Sequence, residues 1–328
     1  MKKVIVDIFG ADAGPAPVIK GTLAALDTFN ELGVVFVGSR NIIEEYCQEN
    51  DRIEIIETDD YITNEENPQV IFTGRDESSV ALGYKRLKND DNSIGMISAG
   101  STCALLIGSI CRLGLIKGLK TPALSSNLPL YNGETACLVD CGANIQCTAK
   151  DLMRFAVMGN AFRESIKPEA TPRVALMSVG REDNKGTPLI QEAFSLIKEL
   201  PINFIGNMEG NDFVTGYADV IVTDGYAGNI ILKNTEATGA VARGIVSAVS
   251  EKYGKSNDPV ILEALKELTL AFDFNTRGGA TFLGTNKTVI KMHGCATEIT
   301  PVACIDQLLR LEASGFSEKI KTALQNIQ

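Results

Sequence analysis

The sequence predicts an α/β protein built on a largely parallel sheet with helices on both faces. Short buried runs rich in β-branched residues alternate with stretches of helical spacing along nearly the whole chain, the pattern of a parallel sheet covered on both sides. The apolar runs end in glycine-rich polar turns, and α/β proteins bind ligands beyond the carboxyl ends of their strands. No change of composition, low-complexity tract or short-period repeat divides the 328 residues, so one domain over 1–328 is expected.

In chain order, Lys3–Asp7 reads as a strand running into Asp7-Ile-Phe-Gly-Ala-Asp12. Pro15 and Pro17 open a helix through about Phe29, since proline suits a first helical turn. Val34–Val37 is a second buried strand, with a helix from near Asn41, and Ile53–Ile56 is a short third. Residues 58–68 are polar and turn-rich, hence a loop, and Ser78–Lys88 has helical spacing. Ile94–Ser98 is a strand running through Ala99-Gly100-Ser101-Thr102 into a small-residue helix, Cys103–Arg112. Ala136–Asp140 leads into Cys-Gly-Ala-Asn144, and a helix follows from about Ala149 to Glu164. Arg173–Ser178 is a strand, Gly180–Gly186 a polar loop, and Pro188 opens a helix to Glu199. Asn203–Ile205 is a strand ending at Gly206-Asn-Met-Glu-Gly210. In the stretch Val220–Lys233, four apolar or β-branched residues end at Asp224, Gly225 and Gly228 form a tight turn before Asn229, and a helix begins. Two helical segments, about 230–252 and 258–272, flank polar Gly254–Asn257. Thr288–Lys291 is a late strand, His293-Gly294 a turn, and two short helices finish the chain.

Composition excludes several classes. A net charge of −10 and no basic stripe with interleaved aromatics disfavour a nucleic-acid partner. No apolar run reaches the ~18 residues of a membrane span, and Asp7 stops the first apolar run too early for a signal peptide; a cytoplasmic protein is expected. The eight cysteines include no Cys-x-x-Cys, and there is one histidine. No metal and no cofactor are therefore expected, and most thiols read as small buried hydrophobes. Cys103, after an anion-type turn, is the thiol whose reactivity merits a test, with packing as its expected role.

Phosphate-loop, dinucleotide-binding and nucleophile-elbow motifs are all absent. A Ser–His–Asp arrangement is available only around His293. What remains is a set of glycine turns with a few cations. Asp7, Ser98, Asp140, Ser178, Gly206 and Asp224 end strands, so their turns are expected to converge on one cleft. Gly10, Gly100, Gly225 and Gly228 let an anion approach backbone N–H groups. Ser101 and Thr102 offer hydroxyls or serve as caps. Asn144, Asn207 and Asn229 sit at turns, with Asn144 and Asn229 suited to orient a carbonyl or phosphate. Lys185 offers a cation to phosphate. This combination suits a phosphate-handling transferase better than a hydrolase.

The whole chain resembles the PlsX family, the phosphate acyltransferases of bacterial phospholipid synthesis. The resemblance rests on Val6-Asp-Ile-Phe-Gly-Ala-Asp12, Ser98-Ala-Gly-Ser-Thr-Cys-Ala104, Asp140-Cys-Gly-Ala-Asn144 and Ser178-Val-Gly-Arg-Glu-Asp-Asn-Lys-Gly186. It continues through Asn203–Asp212, Asp219–Lys233, Gly278–Gly284 and Lys291-Met-His-Gly294. It implies a three-layer α/β/α homodimer related to the phosphotransacetylases and isopropylmalate dehydrogenases. It implies a reaction of acyl-[acyl-carrier protein] with inorganic phosphate, giving acyl phosphate and free carrier protein. By the same resemblance, Lys185, Asn229, Asp224 and His293 are expected to be catalytic. Asp7, Gly10, Asp12, Arg75, Gly100, Ser101, Thr102, Asn144, Asn207, Gly225 and Gly228 are expected to bind phosphate or substrate, with phosphate lying between turns 98–102 and 224–229 near Lys185.

The chain departs from the family pattern at Asp76, where a lysine is usual, and at Ser101, Cys103 and Ala11. Two rival readings follow: a relative using a short acyl-CoA or enzyme thioester, and a non-catalytic paralogue acting as a lipid-synthesis scaffold. A metal-dependent dehydrogenase of the related fold is a third. Residues 236–273 read as a projecting helical pair. Ile261, Leu265, Leu268 and Phe272 share one face of its second helix, and Val241, Ile245 and Val249 share one face of its first. Such faces suit packing in a homodimer, and surplus apolar surface at Val260, Leu262 and Leu270 suits reversible contact with a membrane, though the pair lacks the basic bias usual for that.

Overall fold

The computed structural model describes residues 1–168 and 171–327. Eleven strands form one sheet. In chain order they are β1 (Lys2–Asp7), β2 (Leu32–Gly38), β3 (Ile53–Glu57), β4 (Ser93–Ser98), β5 (Ala123–Pro129), β6 (Thr135–Val139), β7 (Val174–Met177), β8 (Phe204–Met208), β9 (Val220–Val222), β10 (Ala280–Leu283) and β11 (Thr288–Lys291). The helices are α1 (Pro15–Thr28), α2 (Arg40–Glu44), α3 (Val70–Thr73), α4 (Ser79–Asn89), α5 (Thr102–Gly108), α6 (Ala149–Ile166), α7 (Pro188–Lys198), α8 (Gly225–Lys252), α9 (Pro259–Ala271), α10 (Ile299–Ala313) and α11 (Phe316–Gln325).

The spatial order is β3-β2-β1-β4-β11-β10-β5-β6-β9-β7-β8. The first five strands are mutually parallel, and so are the last four. Between them β10 pairs antiparallel with both β11 and β5, and β5 antiparallel with β6. The largely parallel sheet is as expected, but the two central strands β5 and β10 are additions. β5 is interrupted by Ser125-Ser126-Asn127, and β10 is four residues long after Gly278-Gly279. Neither shows the β-branched run that marks a buried strand. Their consequence is that the two parallel halves run in opposite directions.

Local chemistry sets the helix starts. Thr148 and Asp151 form a capping box at α6, Thr187 and Pro188 start α7, and Asp258 with Pro259 starts α9. Asp224 Oδ1 accepts the Ala227 N–H at 2.7 Å and caps α8. The helix therefore begins at Gly225, not near residue 230. Gly225 and Gly228 lie inside its first turn, and the reason for glycine there is contact. A Cβ at Gly225 would meet the Asn144 backbone, and one at Gly228 the carbonyl oxygen of Asp140.

At 28 residues, α8 is about 42 Å long. Ile231 and Leu232 pack on the central core. Farther out, buried Thr235, Gly239 and Ser250 mark its inner face, and Phe272 fills the space beside Gly239. Ile261, Leu265, Leu268 and Phe272 are half-buried, as their shared face requires. Val241, Ile245 and Val249 do not face α9; they stay exposed, at 60%, 59% and 50%. Among the described residues no helix is long and apolar enough to cross a membrane.

Candidate active site

Where the two halves of the sheet meet, a cleft of about 470 Å³ opens. The turns after β4 (Ala99, Thr102, Cys103), β6 (Cys141, Gly142) and β11 (Met292, His293, Gly294) supply walls, as do α8 and the start of β10. Those after β7 and β8 do not line it, so the strand ends converge only in part.

Two turns are locked before any ligand is considered. Asp7 is buried, and accepts the Ser98 hydroxyl at 2.7 Å and the Phe9 N–H at 3.2 Å. Ser98 Oγ in turn accepts the Gly100 N–H. Burial raises the Asp7 pKa to about 6, against the opposing pull of Ser98 and its other hydrogen-bond partners. Gly10, at φ +93, lies so close to Gly100 that any side chain would strike its backbone, in a conformation that L side chains avoid. Asp140 is likewise buried. It accepts N–H groups from Leu124, Gly142, Ala143 and Asn144, plus the Asn144 amide at 2.8 Å. Asn144 also reaches the Pro122 carbonyl at 2.8 Å, and its own carbonyl accepts the Gly225 N–H. Asp7 and Asp140–Asn144 are thus knots that fix the turns.

The residues that face the cleft are different ones. Lys291, at the end of β11, sends Nζ to the Ala99 carbonyl at 3.1 Å and also to the Met292 carbonyl. Burial lowers its pKa to about 8, with Asp12 opposing. Lys233 and Arg277 add two more cations to the lining, against the single lining carboxylate of Glu236. Glu236 is bound by Lys233 at 2.8 Å and by His293 Nε2 at 3.3 Å. Burial alone would raise its pKa, but His293 and Lys233 outweigh that and hold it below the usual glutamate value. Arg277 Nε and Asn127 Oδ1 are buried without a partner among the described residues, and both side chains line the cleft. Asn229 lines it too, its amide 3.4 Å from the Cys141 carbonyl.

Of the predicted residues, Thr102, Asn229 and His293 line the cleft. Asp12 stands behind it, its N–H bonded to the Gly294 carbonyl. Gly10 and Ser101 face a neighbouring hollow with Phe9 and Tyr61. Asp224, Gly225 and Gly228 shape the α8 start. Asn207 donates to the Glu182 carbonyl at 2.8 Å and supports the 178–186 loop. Arg75 is engaged by Asp60, by Glu66 at 2.5 Å and by the Tyr61 carbonyl. Lys185 is not among the cleft residues; it is half exposed, 3.9 Å from Glu182. The substituted Asp76 is 75% exposed and pairs with Arg112 at 2.6 Å. Lys291, Lys233, Glu236 and Arg277 were not singled out by the sequence. Lys291 carried the one usable signal, a cation at a strand's carboxyl end two residues before the sole histidine.

A profile of the fatty acid synthesis protein family matches residues 2–319. The chain belongs to this family, PlsX. Phosphate acyltransferase is the name of a relative from Alkaliphilus oremlandii, 36% identical over 334 residues, covering 99% of this chain and 98% of that one. The same name belongs to a relative from Caldanaerobacter subterraneus, 34% identical over 325 residues, covering 98% and 97%. Among solved structures, a branched-chain phosphotransacylase from Enterococcus faecalis superposes with a TM-score of 0.62 at 13% identity, covering 94% and 98%. A phosphotransacetylase from Streptococcus pyogenes gives 0.61 at 17% identity, covering 95% and 94%. These likenesses show the fold, and the family shows an acyltransferase enzyme that uses phosphate.

Proposed function

We propose that the protein transfers an acyl group from acyl-[acyl-carrier protein] to inorganic phosphate, giving acyl phosphate for phospholipid synthesis. The observation that carries this reading is electrostatic. In a chain of net charge −10, Lys291, Lys233 and Arg277 meet one carboxylate in the central cleft. A small dianion is the ligand such a site favours, and a partly desolvated lysine binds it more strongly than an exposed one. A phosphate oxygen held there attacks the thioester carbonyl, the new C–O bond forms and the C–S bond breaks. Cations and the Asn229 amide counter the charge that develops on the carbonyl oxygen. Lys185, the cation the family motif suggests, lies outside this cleft on the 178–186 loop and would add to its three cations from there.

The same proposal covers location and partners: a cytoplasmic homodimer joined through the exposed Val241, Ile245 and Val249 stripe, touching a membrane with Val260 and Leu262. All five side chains are at least half exposed. The test is phosphate-dependent thiol release measured side by side with acyl-carrier protein and acyl-CoA donors. A higher kcat/KM for the carrier protein supports the reading. A preference for short acyl-CoA would replace the donor, and no release with either donor would end the proposal.

A further inference from the structure

The single histidine joins two side chains that the displacement above does not use together. His293 Nδ1 lies 2.9 Å from Cys295 Sγ, and it accepts the backbone N–H of Cys295 at 3.3 Å. A backbone amide can only donate, so Nδ1 carries no proton and Nε2 does. Nε2 therefore donates to Glu236 Oε1, 3.3 Å away. Phe274 stacks on the imidazole with ring centroids 6.4 Å apart and holds its plane. Cys295 is exposed, so a large thioester can reach it. A nucleophile within reach of a base, with the base oriented by a third group, is the arrangement that activates a thiol. Cys295 is not itself a lining residue of the central cleft and reaches it through His293, which lines it; Cys103 lines the cleft directly, but the one imidazole is already committed to Cys295.

We propose that Cys295, His293 and Glu236 form a nucleophilic triad that takes the acyl group from the thioester donor before phosphate receives it. This deepens the function proposed above and rests on it. In the first half, the Cys295 proton passes to His293 Nδ1 and Sγ attacks the thioester carbonyl carbon. The bond from that carbon to the donor sulfur breaks, and the leaving thiolate takes the proton from the imidazolium. Glu236 keeps the ring oriented and balances its transient charge; its pKa, held low by His293 and Lys233 against burial, keeps it ionised. In the second half, hydrogen phosphate attacks the Cys295 thioester. A C–O bond forms, the C–Sγ bond breaks, and the phosphate proton returns to Sγ through His293. The products are acyl phosphate and the free thiol, with no oxidant or reductant required.

The experiment uses the intact protein with butyryl and palmitoyl thioesters of acyl carrier protein and of coenzyme A. Enzyme and donor are mixed without phosphate, quenched in acid, and mapped by mass spectrometry. The expected result is one acyl group on Cys295, discharged as acyl phosphate when phosphate is added. Cys295→Ala should lose the adduct and roughly 10²-fold or more of turnover. Glu236→Gln should slow adduct formation while leaving phosphate KM less affected than kcat. An adduct at Cys103, an adduct that phosphate cannot discharge, or full turnover by Cys295→Ala would each overturn the triad. With phosphate-dependent release intact in the wild type, those outcomes leave direct displacement standing. Loss of that release in the wild type would instead sink the function itself and the triad's transfer role with it.

Discussion

Lys291 is the residue on which phosphate binding turns. Burial places its folded pKa at about 8, below the ordinary lysine value. The protonated form binds a dianion, so the free enzyme is competent below about pH 8 and loses that charge as pH rises through 8. An unfolded lysine stays charged to about pH 10.4, so burial of the charged amine costs stability below pH 8, and this cost fades as pH rises toward 10.4. Accordingly, kcat/KM for phosphate should fall as pH rises through 8, because that ratio reports free-enzyme groups. Lys291→Ala should cost about 1.5–3 kcal/mol of phosphate affinity, tenfold or more in KM, and more than Lys185→Ala. Equal losses in the two variants, or a flat profile from pH 7 to 9, would contradict the placement. At this scale the sequence pointed to the turns after β4 and β6 and the start of α8, which do wall the cleft, but equally to those after β7 and β8, which do not line it. It could not tell a polar side chain that faces the ligand from one that ties the turn together. Asp7 and Asp140 stand at strand ends and Asn144 in the turn that follows, as a ligand site would require, yet their oxygens and amides are consumed by neighbouring N–H, hydroxyl and carbonyl groups.

The start of α8 shows the same ambiguity for an element. Glycines after a strand read as a flexible turn, but Gly225 and Gly228 are helical and pressed against residues 140–144. Glycine's helix penalty lowers the apparent start by about a turn, and tertiary contact overrides it. Gly228→Ala should therefore destabilise the protein by about 1–3 kcal/mol, despite alanine's better helix propensity, as read by denaturant titration. A stabilised variant would mean the contact is not as close as described. The outer part of the pair was legible on α9, whose half-buried face follows i, i+4, i+7, i+11. On α8 the apolar stripe was legible but its partner was not, since the small residues Gly239 and Ser250 face inward instead. Leu262, 50% exposed, is the test of membrane contact. Wild-type protein should co-sediment with anionic liposomes at low salt, and Leu262→Glu should release it with its melting temperature unchanged. Absence of wild-type binding would remove the membrane from the account.

For the whole molecule, the largely parallel sheet was legible because most of its strands are compact apolar runs set between helices, though its division into two parallel halves was not. Nor was the reversal between them, since β5 and β10 carry serine, asparagine and glycine where an apolar run would betray a strand. Yet the reversal is what brings the turn after β6 and the turn after β11 to one cleft. Assembly is legible only as an unpaired stripe. Ile245→Glu should convert a dimer at micromolar concentration into a monomer by sedimentation velocity, and a monomeric wild type would refute the dimer. The central claim is that this cleft joins an acyl group to phosphate, and radiolabelled inorganic phosphate tests it most directly. With acyl-carrier protein as donor, label should enter a hydroxylamine-labile acyl phosphate in step with thiol release, and Lys291→Ala should depress both together by tenfold or more at subsaturating phosphate. Thiol release that turns over repeatedly without phosphate, beyond one equivalent per enzyme, or label incorporation untouched by Lys291→Ala, would contradict it.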